Sequence, residues 1–350
     1  MASYAKYSKI APEFDQLLKT LPVAGFTEDS TVEDYRKVVD ALGAFQDALY
    51  TGPKDCDVTG TAIEISNGVS IPVKVYAPNE TARAAAGNRP PSILFHVHGG
   101  GWVSGGPEFG HAHCLWFSSH NVVVVNVDYR LCPENPYDTP YNDSYGVYRA
   151  IHQAAINREY HELENWGIPE FDAEKVYFYG TSAGGQIVTA CAILDIENNR
   201  AGVIKGLFLH ATTAVDVHLF PTEKISSDEE PSMVQNKDGP ILTSMDMARF
   251  TAWRNSPPDA DRYFSPLVAL SDEVLKQFPK VYHEAYGMDL LRDGHLLFAE
   301  RMKGLGVDTR VQIHSGYPHS LFSMMSAWHL EGSKVALNKL EEASRWMGVF

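Results

Sequence analysis

A chain of 350 residues, 44% hydrophobic and 21% charged, has the make-up of a globular protein able to bury a full core, as one large domain or two medium ones. Its formal net charge of -15 would repel a polyanion over most of the surface, which excludes nucleic acid and anionic membrane as natural partners and leaves neutral or apolar small molecules open. The opening stretch MASYAKYSKIAPEF has no uninterrupted apolar core, and no later segment reaches the roughly 18 apolar residues of a membrane span, so the expectation is a soluble, non-secreted, cytoplasmic protein.

In chain order, FDQLLKTL suggests a short helix. Ser30 and Glu33 fit a capping box ahead of Tyr35, Val38, Val39, Leu42, Phe45 and Leu49 at helical spacing, an amphipathic helix that needs a partner surface. From Thr61 the period changes to two, and TAIEISNGVSIPVKVYAP reads as two strands joined at Asn67-Gly68. TARAAAGNRPP (81–91) is loop-like. Short β-branched runs then alternate with helical stretches: SILFHVH, NVVVVNVDY, KVYFYG, IKGLFLHA, KVYHEAYG and TRVQIHS. Strands buried on both faces look like this, and their alternation with helices predicts a mostly parallel sheet covered on both sides. Ligands of such sheets bind beyond the carboxyl ends of the strands. The stretch from Ala214 to Pro266 breaks the rhythm: it is long and acidic, then helix-like from Thr243 to Trp253, and connections of that length tend to be lids or binding elements.

The four cysteines, Cys56, Cys114, Cys132 and Cys191, have neither CxxC nor zinc-like spacing, so free thiols are expected and Cys191 is assigned to packing. Neither a metal nor a cofactor is called for.

Chemistry concentrates in FYGTSAGGQIV. Gly180-Thr181-Ser182-Ala183-Gly184 fits G-x-S-x-G between a strand and a helix, the context in which a tight turn lifts the serine hydroxyl above the sheet and a helix N-terminus points at it. Donors for a developing oxyanion are offered by His98-Gly99-Gly100-Gly101, at the end of an apolar run. The N–H groups of Gly100 and Gly101, with that of Ala183, are the expected oxyanion hole. His98 is expected to bond backbone and fix the loop's shape, and Asp128, Arg130 and Glu134 to form an ion network behind it.

Taken together, His98-Gly-Gly-Gly-Trp102, the run Asp128-Tyr-Arg-Leu-Cys-Pro-Glu134, Gly180-Thr-Ser-Ala-Gly-Gly185, Ser265-Pro266 and Asp289-Leu-Leu-Arg-Asp-Gly294 resemble the hormone-sensitive-lipase-like branch of the α/β-hydrolase carboxylesterases, from about Pro91 to the C-terminus. The resemblance implies an α/β-hydrolase fold with a helical cap, ester hydrolysis by a Ser-Asp-His triad, and no metal. Carried over, the nucleophile matches Ser182, the acid Asp289 and the base His319 in YPHSLF, an order shared across such hydrolases. Asp293 is expected to start or cap the next helix, and His314, inside a strand, to be a poor base. Cys132 stands where alanine is usual, Leu290 where proline is common, and Ser320 where glycine is frequent.

On this reading the chain divides into an N-terminal helical cap segment (1–58), a first part of the core (59–213), a cap insertion (214–262) and a second part of the core (263–350). Trp102, Phe220, Met247, Phe250 and Trp253 could line an apolar pocket or form the cap's own core. The substrate expected is an ester with a short to medium acyl group and a small neutral alcohol. Two other readings stand beside it: an amidase or arylformamidase on the same triad, or a non-catalytic small-molecule receptor of the kind that lacks the histidine. The oligomeric state is open between monomer and homodimer.

Overall fold

The computed structural model describes residues 1–20, 26–27, 29–66, 68–256, 261–324 and 330–350; Asn67 and the side chains of Leu42, Phe45 and Leu49 lie outside the described residues. Eight strands, β1 (Cys56–Glu64), β2 (Ser70–Pro78), β3 (Ser92–Val97), β4 (Val122–Val127), β5 (Val176–Thr181), β6 (Ile204–His210), β7 (Lys280–Tyr286) and β8 (Thr309–His314), form one sheet in the order β1-β2-β4-β3-β5-β6-β7-β8. β2 runs antiparallel to β1 and β4, and every pair from β4 onward is parallel. The mostly parallel, helix-flanked sheet expected from the sequence is present.

Burial explains the strand sequences. Every residue of β3, β4 and β5 is buried, so these strands carry no alternation; β8, at the sheet edge, leaves Arg310 and Val311 exposed. The helix Ala183–Glu197 after β5 is buried on nearly every side, and Cys191 within it is fully enclosed, its thiol pushed well above the usual range by burial. All four cysteines are free.

Local expectations needed two adjustments. The capping box before the helix Val32–Leu49 is made by Thr31 and Asp34, one residue beyond Ser30 and Glu33, because Thr31 is the residue with extended backbone at the helix entrance. The loop-like stretch after β2 begins as a short helix, Glu80–Ala85, whose N-terminus Asn79 caps by accepting from the Ala82 amide. Alanines at 82, 84 and 85 then favour the helical turn, and Gly87 ends it with a φ of 68°.

The connection from β6 to β7 (211–279) carries the helix Ser244–Arg254, opened by a capping box between Thr243 and Asp246. That helix meets Val32–Leu49 through aromatic rings. Tyr35 packs edge-on against Phe250 and Trp253, with centroids 5.3 and 5.2 Å away, and its hydroxyl donates to Asp246. The Arg36 guanidinium forks onto Glu134 and donates through Nε to the Val103 carbonyl at 2.8 Å, tying the N-terminal helix to the segment that follows the glycines.

The sheet also buries several imidazoles. Burial lowers the His96 pKa to about 4 and those of His98, His113 and His283 to about 3, so each stays neutral in the fold where the unfolded chain would bind a proton below about 6.5. Their contribution to stability is complete above that unfolded value and is lost as pH falls toward the folded ones, at up to about 1.4 kcal/mol per pH unit for each group. Glu284, its carboxylate held far below the ordinary range by the histidines beside it despite its burial, acts in the same direction. Melting temperature is therefore expected to fall steadily between about pH 6.5 and pH 4.5. A flat profile in scanning calorimetry across that window would contradict the burial of these groups.

Candidate active site

The carboxyl ends of β3, β5, β7 and β8 open onto one edge of the sheet, and the groups singled out in the sequence gather there. β5 ends at Thr181, and Ser182 follows with φ 54° and ψ -117°, a conformation few side chains tolerate. Its amide donates to the His210 carbonyl at 2.8 Å, which pins the turn to β6. The turn needs glycine for space: a Cβ on Gly184 would sit 2.1 Å from the Val97 carbonyl oxygen, so strand β3 and the helix after the serine can approach this closely only without a side chain.

His319 lies in the loop after β8, 5% exposed, with Nδ1 2.7 Å from Asp289 Oδ2 and Nε2 2.9 Å from Ser182 Oγ. Asp289 stands three residues past the end of β7 and is 2% exposed; its other oxygen accepts from the Leu291 amide at 2.9 Å. Three residues far apart in sequence thus form one unbroken hydrogen-bonded line. Ser320 has φ 52°, the left-handed conformation that glycine adopts most easily, at the position where glycine is frequent.

The glycine loop turns beside Ser182. Gly100 has φ 111°, and a Cβ there would fall 2.0 Å from the Ser104 carbonyl oxygen. The amides of Gly100, Gly101 and Ala183 meet no acceptor among the described residues. Gly100 and Ser182 are both partly exposed, so a substrate oxygen has a route to them. His98 is buried, its Nδ1 donates to the Gly99 carbonyl at 2.7 Å, and its ring stacks on Tyr129 at 4.2 Å, which fixes the loop from behind.

Other expected groups find different partners. Asp128, Arg130 and Glu134 do not form one network. Arg130 forks onto Asp143 at 2.8 and 2.9 Å, Glu134 pairs with Arg36, and burial raises the Asp128 pKa. They diverge because Arg130 meets the helix Thr139–Asn157 through Asp143, whereas Glu134 meets the helix Val32–Leu49 through Arg36. His314 is buried and faces Glu284 at 2.7 Å, away from the serine. Asp293 falls in the first turn of the helix Arg292–Gly304, and it also accepts from Arg292 Nε at 2.7 Å and the Ser232 amide at 2.7 Å.

Of the apolar residues, Trp102 turns inward. It is 3% exposed, donates to Gln186 Oε1 at 2.9 Å, and packs against Phe264 and the buried Arg254. Met247 and Phe250 are buried, while Trp253 packs against Tyr35. The Phe250 ring covers Gly101, leaving no room for a side chain there. Phe220 borders a small apolar cavity of about 20 Å³, with Val215, Met233, Leu290, Leu291 and Gly294. Gln186 and Ser232 were not found by sequence reasoning, since nothing local distinguishes an anchoring polar residue from a solvated one.

A family model for the alpha/beta hydrolase fold matches residues 94–323, which takes in the glycine loop, Ser182, Asp289 and His319. The chain belongs to the α/β-hydrolase family. Within it, the hydrolase falls in the hormone-sensitive-lipase-like branch indicated by its motifs. It is 30% identical over 262 residues to versiconal hemiacetal acetate esterase of Dothistroma septosporum, covering 74% of both chains. It is 28% identical over 308 residues to carboxylesterase NlhH of Mycobacterium tuberculosis, covering 86% of this chain and 85% of the relative. A further match, FAD-linked oxidoreductase pytB of Aspergillus terreus, is much longer, and the hydrolase spans only 31% of it at 26% identity. Among solved structures it resembles a hyperthermophilic esterase from the archaeon Pyrobaculum calidifontis, with a TM-score of 0.77, 25% identity, and coverage of 98% of this chain and 100% of that one. No helix among the described residues is long and apolar enough to cross a membrane.

Proposed function

We propose that this carboxylesterase cleaves small neutral esters with short to medium acyl groups, with Ser182 as nucleophile, His319 as general base and acid, and Asp289 as the carboxylate that orients the imidazole. The observation that carries the proposal is the line Asp289–His319–Ser182, with contacts of 2.7 and 2.9 Å, ending on a serine held at φ 54°.

In the first step Ser182 Oγ attacks the ester carbonyl while its proton passes to His319 Nε2. The Nδ1–H donates to Asp289, which fixes the productive tautomer and stabilises the imidazolium. Charge developing on the carbonyl oxygen is met by the amides of Gly100, Gly101 and Ala183, whose positions are set before substrate arrives. His319 then protonates the departing alcohol, and water repeats the sequence on the acyl-enzyme to release the acid. The N-terminal helices and the 214–262 insertion act as a cap over this edge, an assignment supported by Phe250 on Gly101 and Arg36 on Val103.

Small apolar space near the acid loop and the Phe250 ring over the glycine loop favour short acyl groups. A series of p-nitrophenyl esters is expected to give its highest kcat/KM between acetyl and hexanoyl. A clear preference for dodecanoyl or longer would contradict the assignment, and matched ester and anilide substrates would reveal an amidase by comparable rates on both.

A further inference from the structure

The loop that carries Asp289 is built with its carbonyls turned toward other segments. Gly287 O accepts from Arg292 Nη1 at 2.8 Å, and Leu290 O accepts from Ser232 Oγ at 2.8 Å. Asp289's own carbonyl accepts from Asn236 Nδ2 at 3.0 Å, and the same amide reaches Gly287 O at 3.3 Å. Asn236 belongs to the β6–β7 connection, 53 residues upstream of Asp289. It is 9% exposed, so its amide group reaches the two carbonyls from within the protein.

The arm that delivers Asn236 is itself fixed. The short helix Ser232–Gln235 begins with a reciprocal pair, Ser232 N to Asp293 Oδ2 at 2.7 Å and Asp293 N to Ser232 Oγ at 3.1 Å. Asn236 N then donates to Ser232 O at 2.8 Å, closing the turn, and Gln235 Oε1 accepts from Arg292 Nη2 at 3.0 Å and Ser8 Oγ at 2.8 Å. The donor is therefore held at a set place relative to the acid loop. Asp289 gains from this because its side chain has to meet His319 at 2.7 Å, and displacement of about 1 Å at a reacting constellation costs on the order of a hundredfold in rate.

We infer that Asn236 is a positioning residue for the reaction: by bridging the carbonyls of Gly287 and Asp289 it fixes the backbone from which the Asp289 carboxylate reaches His319. The inference rests on Asp289 being the triad acid. A polar residue of the insertion thereby makes the acid's geometry depend on how that insertion is seated. Asn236 touches no reacting atom, so its effect has to pass through Asp289.

A double-mutant cycle on hydrolysis of p-nitrophenyl acetate tests this, using the full chain with Asn236→Leu, Asp289→Asn and the pair. Asn236→Leu is expected to lower kcat by about ten- to a hundredfold with KM changed less than about twofold. In the Asp289→Asn background the same change is expected to lower kcat less than about threefold, because the carboxylate it positions is already gone. An equal factor in both backgrounds, or an unchanged kcat, would overturn the inference while leaving the functional reading intact. If Asp289→Asn itself left turnover unchanged, the functional reading would fall and the inference with it. Where Asn236→Leu does not fold, Asn236→Ala is read by the same criteria.

Discussion

Asp289→Asn is expected to lower kcat by about 10⁴ while leaving KM and the melting temperature close to wild type. The local geometry gives the reason. Oδ1 of Asp289 accepts from the Leu291 amide at 2.9 Å, so the asparagine oxygen is retained at that site and its NH₂ group is presented to His319 Nδ1. Two donors cannot face each other. The imidazole must then accept at Nδ1 and carry its proton on Nε2, where it can no longer take the Ser182 proton. Steady-state kinetics on p-nitrophenyl acetate provide the check, and a loss of less than about tenfold would move the acid role to another carboxylate.

Asp293→Asn separates the two aspartates of the D-L-L-R-D run by effect as well as size. Arg292 has a fully buried side chain and Asp293 is its partner at 2.7 Å, so the variant leaves a guanidinium enclosed without its counter-charge. Breaking such a pair costs about 3–5 kcal/mol. The variant is expected to unfold at distinctly lower temperature and denaturant concentration, while its folded fraction retains kcat within a few-fold. Collapse of kcat with unchanged stability would reverse the roles given to Asp289 and Asp293.

The sheet was legible in the sequence because its central strands are enclosed on both faces, and a run such as Val122 to Val125 has few other uses. The elbow was legible because close approach of two backbones at Gly184 and a strained serine demand small residues in a fixed order. His319 and Asp289 were placed by motif and by strand ends, since both follow strands that deliver them to the same edge. What could not be read were contacts made by ordinary polar residues across long separations: Asn236 on the acid loop, Arg36 on Val103, Gln186 under Trp102. None has a periodic or compositional signature, because a side-chain amide that bridges two carbonyls looks the same in sequence as one in water. The helix at Glu80–Ala85 was hidden for a related reason, as its start is set by a single capping asparagine.

Intact-protein mass spectrometry after treatment with a fluorophosphonate reads whether Ser182 is an activated nucleophile. One adduct is expected on the wild-type chain, mapped to Ser182, with none on Ser182→Ala and none on His319→Ala in the same time. A wild-type chain that takes up no probe, or a Ser182→Ala variant labelled as fully as wild type, would contradict it.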